Sequence, residues 1–385
     1  MIHRRLPDID ASYELLDNLF SGPPAVQPPC ASSPLVLYGA GNLGQLALRL
    51  LQDIGVEVPY ILDRNPPACG KLLNVPIITP DCVPPPERRK FPIGICVVTG
   101  PYRPMQQALL HDGWKDVQPI YDRLQPHANT ILMENGWFLQ RPDKQYKDKI
   151  RQLLEIWHDD HSRAAHLQFL AWRYARQEWT FDDAPIEIGN RYFIPEVIGA
   201  LGDNEYFLDA GAYDGSVTAR FIELTAGKFA KGTLIEPDAT NRLKLIKRFE
   251  GQNIVDRIQI LDCALDERSD KTRFADGLDL GSRLHHHKGE TITAKKLDDL
   301  ELQISFAKLH LEGHELPALR GGIQTLRRHR PVIAVTVYHN ADGAWPAATF
   351  LHHELQNYCL KMRLHGWCGT AAVVYAIPKE RMFTV

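Results

Sequence analysis

One stretch of the sequence, FLDAGAYDGS at residues 207–216, combines the glycines of a tight turn with two carboxylates. A buried strand that runs into a glycine turn is the usual start of a nucleotide pocket, because glycines let the backbone approach a ligand. Asp209 and Asp214 flank the glycines Gly211 and Gly215, and their charges would repel a diphosphate. The loop therefore favours a cationic ligand.

A third acid, Glu236, ends the next predicted strand in TLIEPD, where a carboxylate can take both hydroxyls of a ribose. S-adenosylmethionine fits such a pocket, since it carries a sulfonium, an ammonium and one carboxylate, and has no phosphate. The alternative is that the two loop aspartates are solvated turn residues. In that case it would be a coincidence that the three acids stand at a strand end, in the glycine turn and at the end of the next strand.

Histidines and a glutamate lie at the carboxyl ends of two later predicted strands. His310 and Glu312 are two residues apart in KLHLEGHE, so on a strand they would project to the same face. The pair could act as a base near neutral pH or bind a metal, although a hydrogen-bonded structural histidine is the alternative for His310. His339 ends the predicted strand VIAVTVYH, which places it at the acceptor side of the pocket. Use of a divalent metal is left open.

A second glycine loop, YGAGNLG at residues 38–44, has the spacing of a diphosphate-binding turn. Gly39, Gly41 and Gly44 form the motif, and Asp63 ends the following strand near the position that would hold a ribose hydroxyl. The short sheet around the motif argues for a reduced Rossmann-like module. Ligand binding and a purely structural or oligomerisation role both remain open for this loop.

Strands and helices alternate in two parts of the chain, which predicts an α/β fold with two Rossmann-like domains. Two amphipathic helices are expected between them as a helical connector. The second sheet should end in an antiparallel hairpin, because LKMRLHG and AAVVYAIP follow each other without a helix. The predicted segments are an N-terminal arm at 1–34, a small parallel-sheet module at 35–125, the connector at 126–200 and the second domain at 201–385.

Composition narrows the function classes. The 385 residues are 44% hydrophobic with a net charge of -3, which argues against a nucleic-acid binder. No apolar run approaches the roughly 20 residues that a membrane span needs. Seven scattered cysteines without a CxxC pair indicate reduced thiols and a cytoplasmic location. The run HHH at 285–287 is interpreted as a solvated loop.

Residues 205–377 resemble the FkbM family of class I S-adenosylmethionine-dependent methyltransferases. The matching stretches occur in order and are YFLDAGAYDGSVTARFIEL, TLIEPD, CALDE, LDDL, KLHLEGHELPALRGG and PVIAVTVYH. The resemblance implies a class I methyltransferase sheet and O-methylation of a hydroxyl on a sugar, glycan or natural-product acceptor. It also implies that cofactor contacts come from the glycine loop and the acids around it, with two further candidates at the adenine end: Asp209, Gly211, Asp214, Gly215 and Glu236, then Asp262 and Ala264.

The sequence departs from the family pattern at one position. The family usually has Lys-Ile-Asp-Val-Glu-Gly where this chain has KLHLEG, so His310 stands in place of an aspartate. Lys308, Glu312, Gly313 and Glu315 are kept. A carboxylate pair has thus become a histidine–glutamate pair, which puts the role of the family's aspartate in doubt here.

The N-terminal part, VLYGAGNLG…YILDRNP…NVPIITPD, is similar to the small nucleotide-sugar-binding modules that precede sugar acyltransferases. This resemblance implies a nucleotide-sugar partner for the first domain. The main functional prediction is an O-methyltransferase whose first domain helps to position the acceptor. The alternative is a nucleotide-sugar- or NAD-binding protein whose methyltransferase-like domain is catalytically impaired.

Overall fold

The structure is a computed structural model that describes residues 1–25, 34–66, 70–127, 144–275, 283–284 and 290–382. The histidine run at 285–287, predicted to be a solvated loop, lies outside the described residues. In the part of the chain that is described, no helix is both long and apolar enough to cross a membrane.

The chain divides into two compact units. The first consists of Met1–Lys147, Leu167–Ile188 and Gly366–Thr370, and the second of Asp148–His166, Gly189–His365 and Ala371–Val385. The predicted division into an arm, a module, a connector and a second domain stays a prediction. The predicted α/β class with parallel sheets and a closing antiparallel hairpin is confirmed.

In the described part of the first 188 residues there are eight short strands and six helices. Their bounds are β1 Ile2–Arg4, α1 Ile9–Ser21, β2 Val36–Tyr38, α2 Asn42–Asp53, β3 Ile61–Leu62, β4 Lys71–Leu72, β5 Val75–Ile78, β6 Ile93–Ile95, α3 Tyr102–His111, β7 Val117–Pro119, α4 Ile120–Leu124, α5 Lys144–Ile156, α6 Asp160–Ala175 and β8 Trp179–Phe181. Helices α5 and α6 confirm the two helices expected between the predicted domains.

The first unit is built on a six-stranded sheet with the order β4-β5-β3-β2-β6-β7. All its strand pairs are parallel except β4 with β5. Strand β2 is central and fully buried, as its uninterrupted apolar sequence predicts. Helix α2 follows the glycine loop and packs its apolar face, including Leu48 and Leu51, on the core of this sheet.

Among its described residues after 190, the second unit contains eleven strands and six helices. Their bounds are α7 Pro195–Ala200, β9 Tyr206–Ala210, α8 Ser216–Leu224, β10 Lys231–Ile235, α9 Ala239–Phe249, β11 Ile258–Leu261, β12 Ala264–Leu265, β13 Asp270–Ala275, β14 Arg283–Leu284, β15 Glu290–Lys295, β16 Phe306–Leu309, α10 Glu315–Gly321, α11 Ile323–His329, β17 Val332–Thr336, α12 Trp345–Glu354, β18 Tyr358–Leu364 and β19 Ala372–Pro378.

The main sheet of this unit has seven strands in the order β11-β10-β9-β16-β17-β19-β18. Strand β19 runs antiparallel to both of its neighbours, and the other pairs are parallel. The strand order reverses between β9 and β16. A ligand crevice forms at such a switch point, outside the carboxyl ends of the strands.

Aromatic stacking anchors the opposite end of the same two strands. Phe207 of β9 stacks on Phe306 of β16 with ring centroids 5.0 Å apart, and on Phe221 of helix α8 at 4.4 Å. All three rings are buried. Because rings of this size dominate the energetics of a core, this packing fixes β9 against β16 below the crevice.

A buried ion pair joins the same two strands near the crevice. The Lys308 ammonium donates to Asp209 Oδ1 at 2.9 Å and to the backbone oxygens of Gly211 at 2.6 Å and Ala210 at 3.3 Å. Asp209 Oδ2 accepts a further bond from the hydroxyl of Thr218 at 2.7 Å. Both charged groups are therefore satisfied, which a buried pair requires if it is not to destabilise the fold.

We expect Lys308→Met to lower the free energy of unfolding by about 3–5 kcal/mol, because the Asp209 carboxylate would stay buried without its cation. The double variant Lys308→Met with Asp209→Leu also removes that charge and should regain part of the lost free energy of unfolding. Denaturant titration followed by circular dichroism measures both variants. As a control, Lys228→Met breaks an exposed pair with Asp203 and should leave stability nearly unchanged. A Lys308→Met protein as stable as its parent would contradict the role of this pair.

Candidate functional site

A cavity of about 330 Å³ opens in the second unit at the carboxyl ends of β9, β10 and β16. It is lined by the glycine loop after β9, by Glu236 after β10 and by the turn after β16. Its position is the switch point of the sheet, where ligands of open α/β folds bind. A volume of this order suits a small molecule.

Gly211 brings the glycine loop against the turn after β16. Its φ is +74°, and a Cβ at this position would lie 1.9 Å from the backbone oxygen of His310. Only glycine tolerates both the left-handed backbone and this close approach. Gly215 serves packing instead, since its Cβ would lie 2.8 Å from Phe249 of helix α9, and it does not line the cavity.

Glu236 is the predicted acid that faces the cavity. Its Oε2 accepts the backbone N–H of Tyr213 at 2.8 Å, and its Oε1 accepts that of Asp238 at 3.0 Å. Burial raises the pKa of this carboxyl, against the effect of the two N–H donors. Each oxygen keeps a lone pair beyond these bonds, so the carboxylate can still accept from the hydroxyls of a ligand.

The other predicted acids are held by basic partners. Asp209 is bonded to Lys308, Asp214 pairs with Arg248 at 2.6 Å, and Asp262 pairs with an arginine of helix α9 and is 68% exposed. None of the three lines the cavity. Asp209 and Asp214 thus each have a basic partner distant in sequence, and their assignment as cofactor contacts stays a prediction.

Strand β11 leads to a further wall of the cavity, beyond the strand that precedes Glu236. Ala264, a predicted site residue, lines it together with Cys263 and Leu265. These side chains are small or apolar and buried. They form a surface suited to a flat ring. Cys263 and Leu265 flank the predicted position and were missed in the sequence because nothing in their spacing marks them.

Three side chains meet at the other end of the cavity. His310 Nε2 lies 2.8 Å from Glu312 Oε1, and His339 Nε2 lies 3.4 Å from Glu312 Oε2. The prediction that His310 and Glu312 lie on a strand is wrong, since β16 ends at Leu309. A turn brings them together instead, with Glu312 at a φ of +50°. His339 likewise follows the end of β17 at Thr336.

Glu315 holds this turn in place. Its carboxylate accepts the backbone N–H groups of Leu311 and Gly313, the hydroxyl of Thr336 and Nδ1 of His339, at 2.7 to 3.0 Å. Burial opposes its ionisation, but these donors and the nearby imidazole lower the pKa of Glu315 to about 2. The ionised carboxylate thereby ties the turn after β16 to the residues after β17.

The two histidines differ in their electrostatics. Burial lowers the pKa of His310 to about 4, although Glu312 opposes the shift. Burial acts in the same direction on His339, but Glu312 and Glu315 outweigh it and raise the pKa of His339. His310 is consequently neutral at physiological pH and can accept a proton or donate a lone pair.

Three residues of this end were missed in the sequence. The hydroxyl of Tyr192 lies 2.8 Å from His310 Nδ1, and that of Tyr338 lies 3.3 Å from His310 Nε2. Arg191 donates to the Tyr338 hydroxyl at 3.1 Å, and its Nε is buried without a partner among the described residues. In the sequence, Tyr338 precedes His339, and Arg191 and Tyr192 stand in GNRYF. These positions give only a weak signal, because aromatic and arginine residues are common throughout proteins.

The glycine loop of the first unit packs closely against the start of helix α2. A Cβ on Gly44 would lie 2.1 Å from the backbone oxygen of Gly39, so helix α2 approaches the loop closely, whereas a Cβ on Gly41 would meet nothing within 4 Å. Asp63 accepts the backbone N–H groups of Ala40 and Asn65 at 2.8 Å each. The loop and Asp63 are thus brought together, as the spacing predicts.

Comparison with known proteins finds a family model that matches part of the second unit and a solved structure with a similar fold. Residues 209–363 match the family model described as Methyltransferase FkbM domain. The fold is similar to the crystal structure of methyltransferase FkbM from Methylobacillus flagellatus KT, with a TM-score of 0.63 and 19% identity over 96% of this chain and 98% of that chain. No curated protein matches the sequence. At this identity the likeness to the crystal structure shows the fold alone.

We expect Gly211→Ala to destabilise the second unit more than Gly251→Ala. Both glycines have a φ of +74°, but a Cβ on Gly251 would meet nothing within 4 Å. Both variants bear the left-handed backbone cost, and Gly211→Ala should add about 1–3 kcal/mol for overpacking against His310. Thermal or denaturant unfolding measures the difference, and equal losses would show that the loop does not depend on this contact.

Proposed function

We propose that this chain transfers the methyl group of S-adenosylmethionine to a hydroxyl of a sugar, a glycan or a related natural-product acceptor, because residues 209–363 match the family model described as Methyltransferase FkbM domain. The observation that supports this most is the cavity at the switch point, with Glu236 at one end and the His310–Glu312–His339 cluster at the other. The first end suits a nucleoside, and the second suits an acceptor hydroxyl.

The cofactor would lie along the glycine loop. Its ribose hydroxyls would donate to Glu236, its adenine would pack against Cys263, Ala264 and Leu265, and its methionine part would pass Gly211 toward His310. Asp209 and Asp214 would act on the loop rather than on the cofactor. Lys308, which lines the cavity, holds the loop by two backbone oxygens.

Methyl transfer to a hydroxyl needs orientation and the removal of one proton. The acceptor oxygen attacks the methyl carbon in line, the carbon–sulfur bond breaks, and S-adenosylhomocysteine leaves as a neutral thioether. The hydroxyl proton would pass to the cluster, where His310 is neutral and Glu312 is ionised, since the two histidines outweigh burial and lower the pKa of Glu312. The histidine in place of the family's usual aspartate thus still provides an acceptor for the proton.

The glycine loop of the first unit supports a second proposal, a site for a phosphate-bearing ligand such as a nucleotide sugar or NAD. Gly41 precedes the first turn of α2, and no described side chain caps that turn. Free N–H groups at a helix start attract phosphate. If this loop binds a nucleotide while the second unit binds no S-adenosylhomocysteine, the chain is a nucleotide-binding protein with an impaired methyltransferase-like domain.

The cofactor assignment predicts that Glu236→Gln weakens the binding of S-adenosylhomocysteine by roughly 10–100-fold, because a charged acceptor for the ribose hydroxyls is lost. Isothermal titration calorimetry on the full chain measures the change. Asp203→Asn is the control, since Asp203 is exposed and lies outside the cavity, and it should bind as the parent does. Absent binding by the parent chain, or equal binding by Glu236→Gln, would contradict the assignment.

The acceptor class is tested by radiolabelled methyl transfer. The full chain is incubated with methyl-labelled S-adenosylmethionine and separate panels of nucleotide sugars, oligosaccharides and polyhydroxylated natural products. We expect label in one of these panels, in an ether that resists mild base. Label that appears only in amine or thiol acceptors would contradict O-methylation while leaving methyl transfer intact.

For the first unit we expect Gly41→Asp to abolish the binding of a nucleotide sugar such as UDP-glucose, because a carboxylate would meet the phosphates. Gly41→Ala is the control, since the φ of -70° suits any residue and the added Cβ meets nothing within 4 Å. Calorimetry with UDP-glucose and with NAD distinguishes the two ligands. Unchanged binding in Gly41→Asp would place the ligand elsewhere, and no binding by the parent chain would favour a structural role for the loop.

A further inference from the structure

We propose that His310, Glu312 and His339 bind one divalent transition-metal ion at the acceptor end of the cavity. The site itself is inferred from these three side chains and their partners. The role given to the ion below, binding and activating the acceptor hydroxyl, rests on the proposed methyl transfer.

The three side chains have the spacing of metal ligands. One ligand atom from each lies within 4.8 Å of the others. Nε2 of His310 is 2.8 Å, and Nε2 of His339 is 3.4 Å, from the carboxylate oxygens of Glu312. Bonds of about 2.0–2.2 Å to a shared metal put neighbouring ligand atoms roughly 3–4 Å apart. The side chains would therefore need only small shifts to bind an ion between them.

The hydrogen bond that Nδ1 of His339 makes with Glu315 leaves Nε2, the nitrogen nearer to Glu312, available to a metal. Nδ1 of His339 donates to Glu315 Oε1 at 2.9 Å, which leaves Nε2 with a lone pair when the ring is neutral. This Nε2 is buried and has no hydrogen-bond partner among the described residues. It faces the Glu312 carboxylate, and a lone pair facing a carboxylate is repulsive unless a cation lies between them.

Both histidines have the supporting partners that metal-binding imidazoles usually have. A metal-ligating histidine bonds its other nitrogen to a carboxylate, a carbonyl or a similar group, which fixes the ring. Glu315 does this for His339, and the Tyr192 hydroxyl, 2.8 Å from Nδ1, does it for His310. Glu315 is fixed in turn by three further donors. The cluster is thus held in place before any ion arrives.

The charges around the cluster favour a dication. Glu312 and Glu315 contribute two negative charges when the histidines are neutral. Arg191, which reaches the cluster through the Tyr338 hydroxyl, contributes one positive charge. The Lys308 ammonium is already balanced by Asp209. A divalent ion would therefore meet a net negative site.

Two imidazoles and one carboxylate select the class of ion. Imidazole suits zinc, iron, cobalt and nickel, whereas magnesium and calcium prefer oxygen ligands throughout. His310 and Glu312 line the cavity, so coordination positions on the cavity side stay accessible. There an acceptor oxygen could bind, and the ion would lower the pKa of its hydroxyl. With the ion bound, the hydroxyl proton would pass to water, since His310 and Glu312 then act as ligands and no longer as the proton acceptor.

The competing occupant of the same space is a proton. A protonated His339 would bridge Glu312 and Glu315 without any metal, and its pKa is raised in this direction. The two possibilities differ in metal binding. A ligand set binds one ion per chain, and a protonated His339 binds none. They also differ in their dependence on Glu315, because a second carboxylate partner tunes metal affinity.

The test is a Co²⁺ titration of the full chain, stripped of metal and free of purification tags, followed by visible absorption. The background variant has His285, His286 and His287 all changed to Ser, so that adventitious binding of Co²⁺ by this histidine run does not enter the titration. We expect one Co²⁺ per chain in this background, with the absorption bands of a low-symmetry site. Glu315→Gln should weaken binding by about 10–100-fold, and Glu312→Gln or His339→Gln should weaken it further.

His353→Gln is the control, since His353 lies on helix α12 outside the cavity, and it should bind Co²⁺ as the background does. No Co²⁺ binding in a folded background protein, or binding unaffected in Glu312→Gln and His339→Gln, would overturn the metal site in favour of the proton. Calorimetry with S-adenosylhomocysteine on the same samples separates the two proposals. Failure of metal binding with intact S-adenosylhomocysteine binding overturns only the metal site, and the reverse result overturns only the methyl-transfer assignment.

Discussion

The cavity depends on one buried cation. The Lys308 ammonium, at the end of β16, donates at once to the Asp209 carboxylate and to the backbone oxygens of Ala210 and Gly211. A buried ammonium needs all of these acceptors, and each of them belongs to the strand and loop opposite. The pair therefore fixes where the glycine loop leaves the sheet. The Glu236 side and the His310 side of the proposed reaction site are both positioned relative to that loop.

From this fixed point the site extends in two directions. Toward β10, Glu236 is oriented by the backbone N–H groups of Tyr213 and Asp238, which leaves its remaining acceptor capacity toward the cavity. Toward β16, Gly211 lies close to the backbone of His310, and this contact sets how near the turn with His310 and Glu312 lies to the glycine loop. The Glu315 carboxylate then ties this turn to the end of the neighbouring strand. Cofactor end and acceptor end are thus parts of one hydrogen-bonded frame.

The sequence predicts much of this frame, because glycine turns and strand alternation are local features. It predicts the α/β class, the closing antiparallel hairpin and the meeting of His310 with Glu312. It fails where a residue's role depends on a partner far along the chain. Asp209 has its cation 99 residues later and Asp214 has its own 34 residues later, so the sequence does not show that each carboxylate is paired. Arg191 lies before the sheet begins, and only the fold brings it to the histidines.

In the proposed reaction, the switch-point cavity holds the cofactor with its reactive end at the histidine cluster. A crystal structure of the full chain with bound S-adenosylhomocysteine is the decisive test. We expect ribose hydroxyls within hydrogen-bonding distance of Glu236 and a sulfur atom directed toward His310. Ligand bound elsewhere in the chain, or bound in the reverse direction with its sulfur near Ala264, would contradict it.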